Sequence, residues 1–365
     1  MFGNFLTLLG VGSDSEPDKP QPTQNAPEDQ RRESECRRDL ILQLATYLSS
    51  VKVKGSTQKR IVESVRQVSE VVIWSDRRNP ELLSNVVEVN LHRALLRLLQ
   101  DRRGGNASVA VTVQVLQTLS IILDGITESR FLYSLFSNNF VNELIAAPVD
   151  LENDEILAYY VAFLKALSLK LTTDTIHFFF NERLDDFPLY TTAISLFDHP
   201  DSMVRVAVRA ITLNVFRIND QDALKFILSS PACAHFWQMI MRALKDCYDD
   251  AFRILVDMPT VTPHLQTAAI ATSVVDNSRM TEIQEWAAVD QILENHMGLL
   301  SYMNDIYGLG VERINQRVTS EFLDRILTRT FVHVIEIGWR AEATPEETLF
   351  MQVVTLFLSH FFAII

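Results

Sequence analysis

Eight histidines, three cysteines and several paired carboxylates are the residues of this 365-residue chain that could do chemistry. Histidines grouped with cysteines or acids at ligand spacing would hold a metal, and a histidine beside a thiol or hydroxyl would make a nucleophile. The spacings specify neither. His177 and His199 flank residues 185–197, "DDFPLYTTAISLF", with Asn181 and Asp198 nearby, but no nucleophile accompanies them. Cys233 and His235 are mere sequence neighbours, and Cys36, Cys233 and Cys247 contain no C-x-x-C pair. The acids Asp185 with Asp186, Asp249 with Asp250 and Glu346 with Glu347 are adjacent, and adjacent residues do not share a helix face. They read as solvated charges, not as an acid and its base. No G-x-G-x-x-G, P-loop, H-E-x-x-H or G-x-S-x-G occurs. The expectation is therefore a protein without catalytic residues, metal or cofactor.

Charge narrows the partners. A formal charge of −13 opposes attraction to a phosphate backbone, so nucleic acid is not an expected partner. Three dispersed cysteines fit a reducing compartment rather than a disulfide framework. The start, "MFGNFLTLLGVGS", has no basic residue ahead of its apolar stretch, and Phe2 stands where N-myristoylation needs glycine. Residues 156–171 are interrupted by Lys165 and Lys170, and residues 349–365 carry Gln352, Thr355, Ser359 and His360, so both read as core helices rather than membrane spans. These features predict a cytoplasmic protein.

What would position any site is a series of helices. Residues 13–35 have almost no apolar side chain and are expected to belong to a disordered tail, residues 1–35, with the folded part, 36–365, starting near Cys36. From there apolar residues recur at spacings of three and four through "RRDLILQLATYLSSV", "TQKRIVESVRQVSEVVIW" and "NPELLSNVVEVNLHRALLRLLQ". "VAVTVQVLQTLSIILDG" alternates valines like a strand, but its length predicts a helix. In "HPDSMVRVAVRAITLNVFRI", Asp201 is placed to cap the first turn. That helix is apolar nearly all round, which predicts cover on most sides, with a narrow polar strip through Arg205, Arg209 and Thr212. Arg205 is expected to pair with an acid or a carbonyl of a neighbouring repeat. The run D-x-x-V-R-x-A-x-x-A is similar to the second helix of HEAT repeats. The predicted fold is all-α, an irregular armadillo- or HEAT-like α-solenoid in which no fixed period shows. Residues 257–280 are expected to form a loop or insertion, and the apolar, uncapped final helix suggests a chain truncated at its C-terminus.

"HFFFNE" (177–182) and "DDFPLY" (185–190) gather aromatic residues around one proline. Two readings stand. Phe187, Pro188, Leu189 and Tyr190 are either a structural elbow, with Pro188 opening a helix at no hydrogen-bond cost, or a docking patch for a partner.

"VVIWSD" (71–76), "FLYSLFSNNFVNELI" (131–145), "DEILAYYVAFLKALSLKLTTDTIHFFFNE" (154–182) and "DDFPLYTTAISLFDHPDSMVRVAVRAITLNVFRI" (185–218) closely resemble the FPL-domain family, whose animal members include an endosomal maturation protein. The resemblance covers residues 36–225 well and echoes faintly at "LLSYMNDIYGL" (299–309). It implies a non-enzymatic scaffold, peripheral on endosomal, lysosomal or Golgi-derived membranes. The implied roles are endosome maturation, delivery to lysosomes, autophagy and mitophagy, with Rab GTPases, tethering complexes or ubiquitin-ligase components as protein partners. One family member is named as a lectin, but this chain has neither a disulfide set nor a calcium loop. A second function class fits an acidic solenoid: a karyopherin-like adaptor holding basic segments on an acidic concave surface.

Overall fold

A computed structural model of the chain describes residues 26–101, 106–257, 275–338 and 344–364. Among these residues every regular element is helical, and β pairing is confined to an isolated bridge between Asn181 and Asp186. In chain order the helices are α1 (Ala26–Ser50), α2 (Gln58–Arg78), α3 (Leu82–Glu88), α4 (Leu91–Gln100), α5 (Asn106–Gly125) and α6 (Ser129–Phe136). Next come α7 (Phe140–Ile145), α8 (Asp154–Ser168), α9 (Ile176–Phe179), α10 (Pro188–Ser195), α11 (Ser202–Arg217) and α12 (Gln221–Ser229). The chain continues through α13 (Pro231–Asp257), α14 (Val275–Gly308), α15 (Glu312–Phe322), a π-helical segment Leu323–Phe331, α16 (Val332–Gly338) and α17 (Pro345–Ile364).

These helices stack in two layers. The long helices α2, α5, α8 and α11 pack side by side, each on the next, and α14 follows α11. Behind them α1, α4, α7, α10 and α13 form a second series, with the short α3, α6, α9 and α12 as connectors. A period not visible in the residue pattern emerges here: α2, α5, α8 and α11 begin at Gln58, Asn106, Asp154 and Ser202, a constant 48 residues apart. Hydrogen bonds tie neighbouring long helices together. Thr118 Oγ1 donates to the Val65 carbonyl at 3.2 Å, and Asn214 Nδ2 donates to Ser168 Oγ at 3.0 Å. At the end of α5 a methyl on Gly125 would collide with the Ile73 side chain, so α2 and α5 run parallel in close contact.

The local chemistry explains the boundaries. Asn153, Asp201 and Asp220 cap α8, α11 and α12 by accepting hydrogen bonds from first-turn N–H groups. The stretch 79–100, predicted as one helix, is two, because Asn90 takes a left-handed conformation (φ 54°) between α3 and α4. Asparagine tolerates this better than most residues. The valine-rich stretch is helical as expected: Val111, Val113 and Val115 are buried because α5 is wedged between α2 and α8. By length and composition alone, residues Ser108–Gly125 would be long and apolar enough to cross a membrane.

Two boundaries need correction. Residues 26–35, placed by sequence with the tail, are helical. The i,i+4 pairs Arg31–Glu35 and Glu33–Arg37 and a 3.3 Å bond from Asn79 Nδ2 to Ser34 Oγ extend α1, and adding residues to a packed helix is cheap once it is nucleated. Residues 1–25 lie outside the described residues. Of the expected loop 257–280, Asp257 ends α13 and residues 275–280 begin α14, while 258–274 also lie outside the described residues.

Candidate functional site

The segment that carries the resemblance forms the junction between α9 and α10. Asn181 and Asp186 exchange backbone hydrogen bonds of 2.8 and 3.2 Å, and Asn181 Oδ1 accepts from the Arg183 amide, closing a small loop that leaves Leu184 exposed at its tip. Pro188 then occupies the first turn of α10, where its missing N–H has no partner to lose. Phe187, Leu189 and Tyr190 are fully buried. Phe187 packs against Phe180, Tyr190 and Phe226 with ring centroids 5.7, 5.9 and 6.4 Å away, and Tyr190 also meets Phe216 and Phe236. These side chains offer a partner no surface; only Pro188 is partly exposed. The Tyr190 hydroxyl has no hydrogen-bond partner among the described residues, and burial pushes it well above the usual tyrosine range.

This junction is one instance of a repeated turn. Left-handed residues stand at Asn90, at Asn138 and Asn139, and at Asp185, each just ahead of a helix of the second layer. A buried apolar side chain follows each time: Leu91, Phe140 and Phe187. The turn residue reverses the chain, and the apolar residue plugs the gap between layers.

Asp201 and Arg205 lie at the next corner. Asp201 accepts from the Met203 amide at 2.7 Å, while Arg205 Nη1 donates to the carbonyls of His199 (2.8 Å) and Pro200 (2.7 Å) and Nη2 to Asn295 Oδ1 (3.4 Å). Arg205 thus caps its own preceding loop and reaches α14 through the Asn295 amide. The cover expected on most sides of α11 is incomplete. The polar strip faces α14: Thr212 is fully buried and shares a 2.7 Å bond with the Tyr302 hydroxyl, and the Arg209 guanidinium lies over the rings of Phe197 and Tyr302. Met203 and Val206, read as covered, are 56% and 59% exposed. Arginine stems pack well against aromatic faces, so a strip of arginine and threonine need not mark solvent.

The groups with catalytic potential do not converge. His177 is 3.7 Å from Asp220 at the surface, and the His199 ring accepts from the Asp201 amide. Burial pushes the Cys233 thiol up to about 12 and Cys247 up to about 11, which keeps both protonated and poorly nucleophilic. Among the described residues no three His, Cys, Asp or Glu side chains assemble into a metal-holding group.

What remains as a candidate site is the face of the long helices. α2, α5, α8 and α11 carry nine basic and six acidic side chains within a chain of net charge −13. The acidic surface required by the karyopherin-like alternative is therefore not on these helices, and acids such as Asp185, Asp186 and Asp222 lie in connecting loops and short helices instead.

Residues 65–216 match the FPL family model, described as an uncharacterised conserved protein. The matched segment runs from α2 to α11, the length of the 48-residue stack and narrower than the expected 36–225. Protein CLEC16A of Homo sapiens is 33% identical over 316 residues, which is 83% of this chain and 27% of the human protein. Protein CLEC16A homolog of Drosophila melanogaster is 32% identical over 298 residues (80% of this chain, 26% of the relative), and Protein TRANSPARENT TESTA 9 of Arabidopsis thaliana is 29% identical over 287 residues (78% and 31%). The chain spans 26–31% of the length of these curated relatives.

Proposed function

The chain belongs to the FPL family, and from that premise we propose that it is a non-enzymatic scaffold in endomembrane trafficking. It acts in endosome maturation, endosome-to-lysosome delivery and autophagy, including mitophagy. Its domain is an armadillo-type stack, each unit a short helix, a second-layer helix and a long helix lining the binding face. Its partners are proteins: a Rab GTPase, a tethering complex or ubiquitin-ligase components, met on the cytoplasmic side of endosomal, lysosomal or Golgi-derived membranes. The observation that carries this reading is the coincidence of the family match with the regular stack, since stacked helical units offer extended surface for protein binding rather than an enclosed pocket. Phe187, Pro188, Leu189 and Tyr190 serve it as the elbow that fixes α10 against α11 and α13, and Asp201 and Arg205 fix the entry of α11.

Cells lacking the gene test the reading through two measurements, the rate at which an endocytosed tracer reaches lysosomes and autophagic flux. Slowed delivery restored by re-expression is the expected result. Normal delivery together with normal flux would remove the trafficking assignment.

A further inference from the structure

Residues 40–62, 89–100 and 106–123 contain no aspartate or glutamate. The fold brings these three stretches together: α1 packs on α2 and α4, α5 packs on the same two helices, and Arg97 Nη2 ties α4 to the end of α1 by donating to the carbonyls of Leu48 (2.5 Å) and Val51 (2.7 Å). At that end the loop 51–57 and the first turn of α2 present Lys52, Lys54, Lys59 and Arg60. All four are exposed, and none lies within ion-pair distance of a carboxylate among the described residues. Arg66, Arg93, Lys245 and Arg317, by contrast, each meet one. Of the acids that border these stretches, Asp101 accepts from the Val53 amide at 3.4 Å and Glu63 is held by Arg66 at 2.7 Å. The loop has a fixed shape: Thr57 Oγ1 donates to the Lys52 carbonyl at 2.8 Å and accepts from the Lys54 amide at 3.1 Å, and the Arg60 guanidinium lies over the Tyr47 ring. A methyl on Gly55 would touch nothing, so the loop projects into solvent. Lys59 and Arg60 also stand where a helix dipole favours acids, and the first turn of α2 has none. Helix stability does not account for cations there. α5 separates α8 from α2, so the first-turn acids Asp154 and Glu155 lie at least two helix spacings away, about 16 Å or more, beyond a screening length of about 8 Å.

We propose that this basic corner, Lys52, Lys54, Lys59 and Arg60, seats the protein on the anionic leaflet of a membrane. Clusters of roughly four to eight lysine and arginine residues recognise such a surface, each residue multiplying the binding by about fivefold. A membrane fits better than an acidic protein. Interfaces between proteins are anchored by apolar side chains sunk in pockets, and residues 51–62 expose no large apolar side chain. The leaflet repels the acids at the first turns of α8 and α11, so the stack stands on its α2 end and keeps its far end clear for protein partners. The proposal deepens the trafficking reading and rests on it in taking the protein to work beside a membrane.

The test is flotation of the full chain with phosphatidylcholine vesicles that contain or lack phosphatidylserine. The chain should float with the phosphatidylserine vesicles alone, and less of it as salt is raised. Lys52→Gln with Lys54→Gln should weaken the binding by about tenfold or more. Arg77→Gln with Arg78→Gln, the same loss of charge at the other end of α2, should leave it unchanged. All four side chains are exposed, so circular dichroism and melting should match the parent chain in both variants. An equal loss in the two variants would reduce the effect to net charge and overturn the proposal. So would an absence of flotation with phosphatidylserine, or binding to polyglutamate or to an oligonucleotide in its place. The delivery assay in cells lacking the gene separates the two claims. Slowed delivery with no flotation removes the membrane seat and leaves the trafficking reading standing, whereas flotation that Lys52→Gln with Lys54→Gln abolishes, beside normal delivery and flux in the null, does the reverse.

Discussion

The stack of residues 58–217 and the segment 231–364 are both helical, but only the first repeats its spacing. In the stack, successive long helices place Val65, Val113 and Val161 at one position of the register and Val68, Leu116 and Leu164 at another, all buried. The same two positions on α11 are Arg209 and Thr212. An aliphatic row accepts any aliphatic neighbour, so units can follow one another at a fixed interval. A row of arginine and threonine accepts only a neighbour with matching polar groups. α14 supplies them through Tyr302, whose hydroxyl shares a hydrogen bond with Thr212 and whose ring lies under Arg209, with Gly298 leaving room beside that arginine. Beyond that joint the packing is less uniform. His296 is buried with neither ring nitrogen hydrogen-bonded among the described residues, its ring 4.4 Å from that of Phe357 and 6.1 Å from that of His360. It borders a cavity of about 20 Å3, near the space of a single water, which Tyr248, Thr330 and Phe357 also line.

The sharpest way to break this contrast is to empty the stack. Phe187→Ala should cost ~3–5 kcal/mol in urea unfolding, since packing against three aromatic rings leaves little room to collapse; a loss below ~1 kcal/mol would mean that the elbow is not part of the core. Acid should expose the weaker region next. Burial pushes the His296 imidazole down from 6.5 to about 4, so it stays neutral in the fold while the unfolded chain takes up a proton. Its contribution is complete above pH 6.5 and is lost as the pH falls from 6.5 towards 4, about 3 kcal/mol in all. His296→Leu should flatten that part of the stability profile, and an unchanged slope would show that another group titrates there. At the joint, Arg205→Ala should cost ~1–2 kcal/mol through its lost carbonyl bonds, read from the denaturation midpoint. An unmoved midpoint would assign those bonds no net value. The smallest effect belongs to Tyr190→Phe, which removes a buried hydroxyl with no hydrogen-bond partner among the described residues and should leave stability unchanged or raise it by up to ~1 kcal/mol; a clear loss would show that the hydroxyl is bonded.

Helix type was legible because apolar residues recur at 3.6-residue intervals in most elements, and even the valine run of α5 was long enough to decide the matter. The period was not. Residues at equivalent positions differ in kind, as Val65 and Arg209 do, while the connectors between long helices carry unrelated sequences. One signal was present: an asparagine or aspartate followed by a buried Leu91, Phe140 or Phe187 at three successive turns. Met203 and Val206 were misjudged for a related reason: a helix apolar nearly all round reads as covered on most sides, whereas α11 is covered by α14 over its polar strip, where Thr212 and Arg209 meet Tyr302. The cations of residues 52–60 escape notice in the sequence because the acid-free stretches around them are distant along the chain and meet only in the fold.

Parallel long helices have an electrical consequence. Each peptide dipole adds along its helix, giving roughly half a positive charge at the first turn and half a negative charge at the last. Because α5 follows α2 and α14 follows α11 in the same direction, the like poles gather along two opposite edges of the stack instead of cancelling. The side chains offset both poles. Asp154 and Glu155 stand in the first turn of α8 and Asp201 caps α11, while Arg77, Arg78, Lys165 and Arg217 stand in the last turns of α2, α8 and α11. At these ends each pole therefore meets side chains of the opposite sign, and because salt at physiological strength screens beyond about 8 Å, the cancellation is local to each helix end, where it relieves parallel neighbours of the repulsion between their like ends.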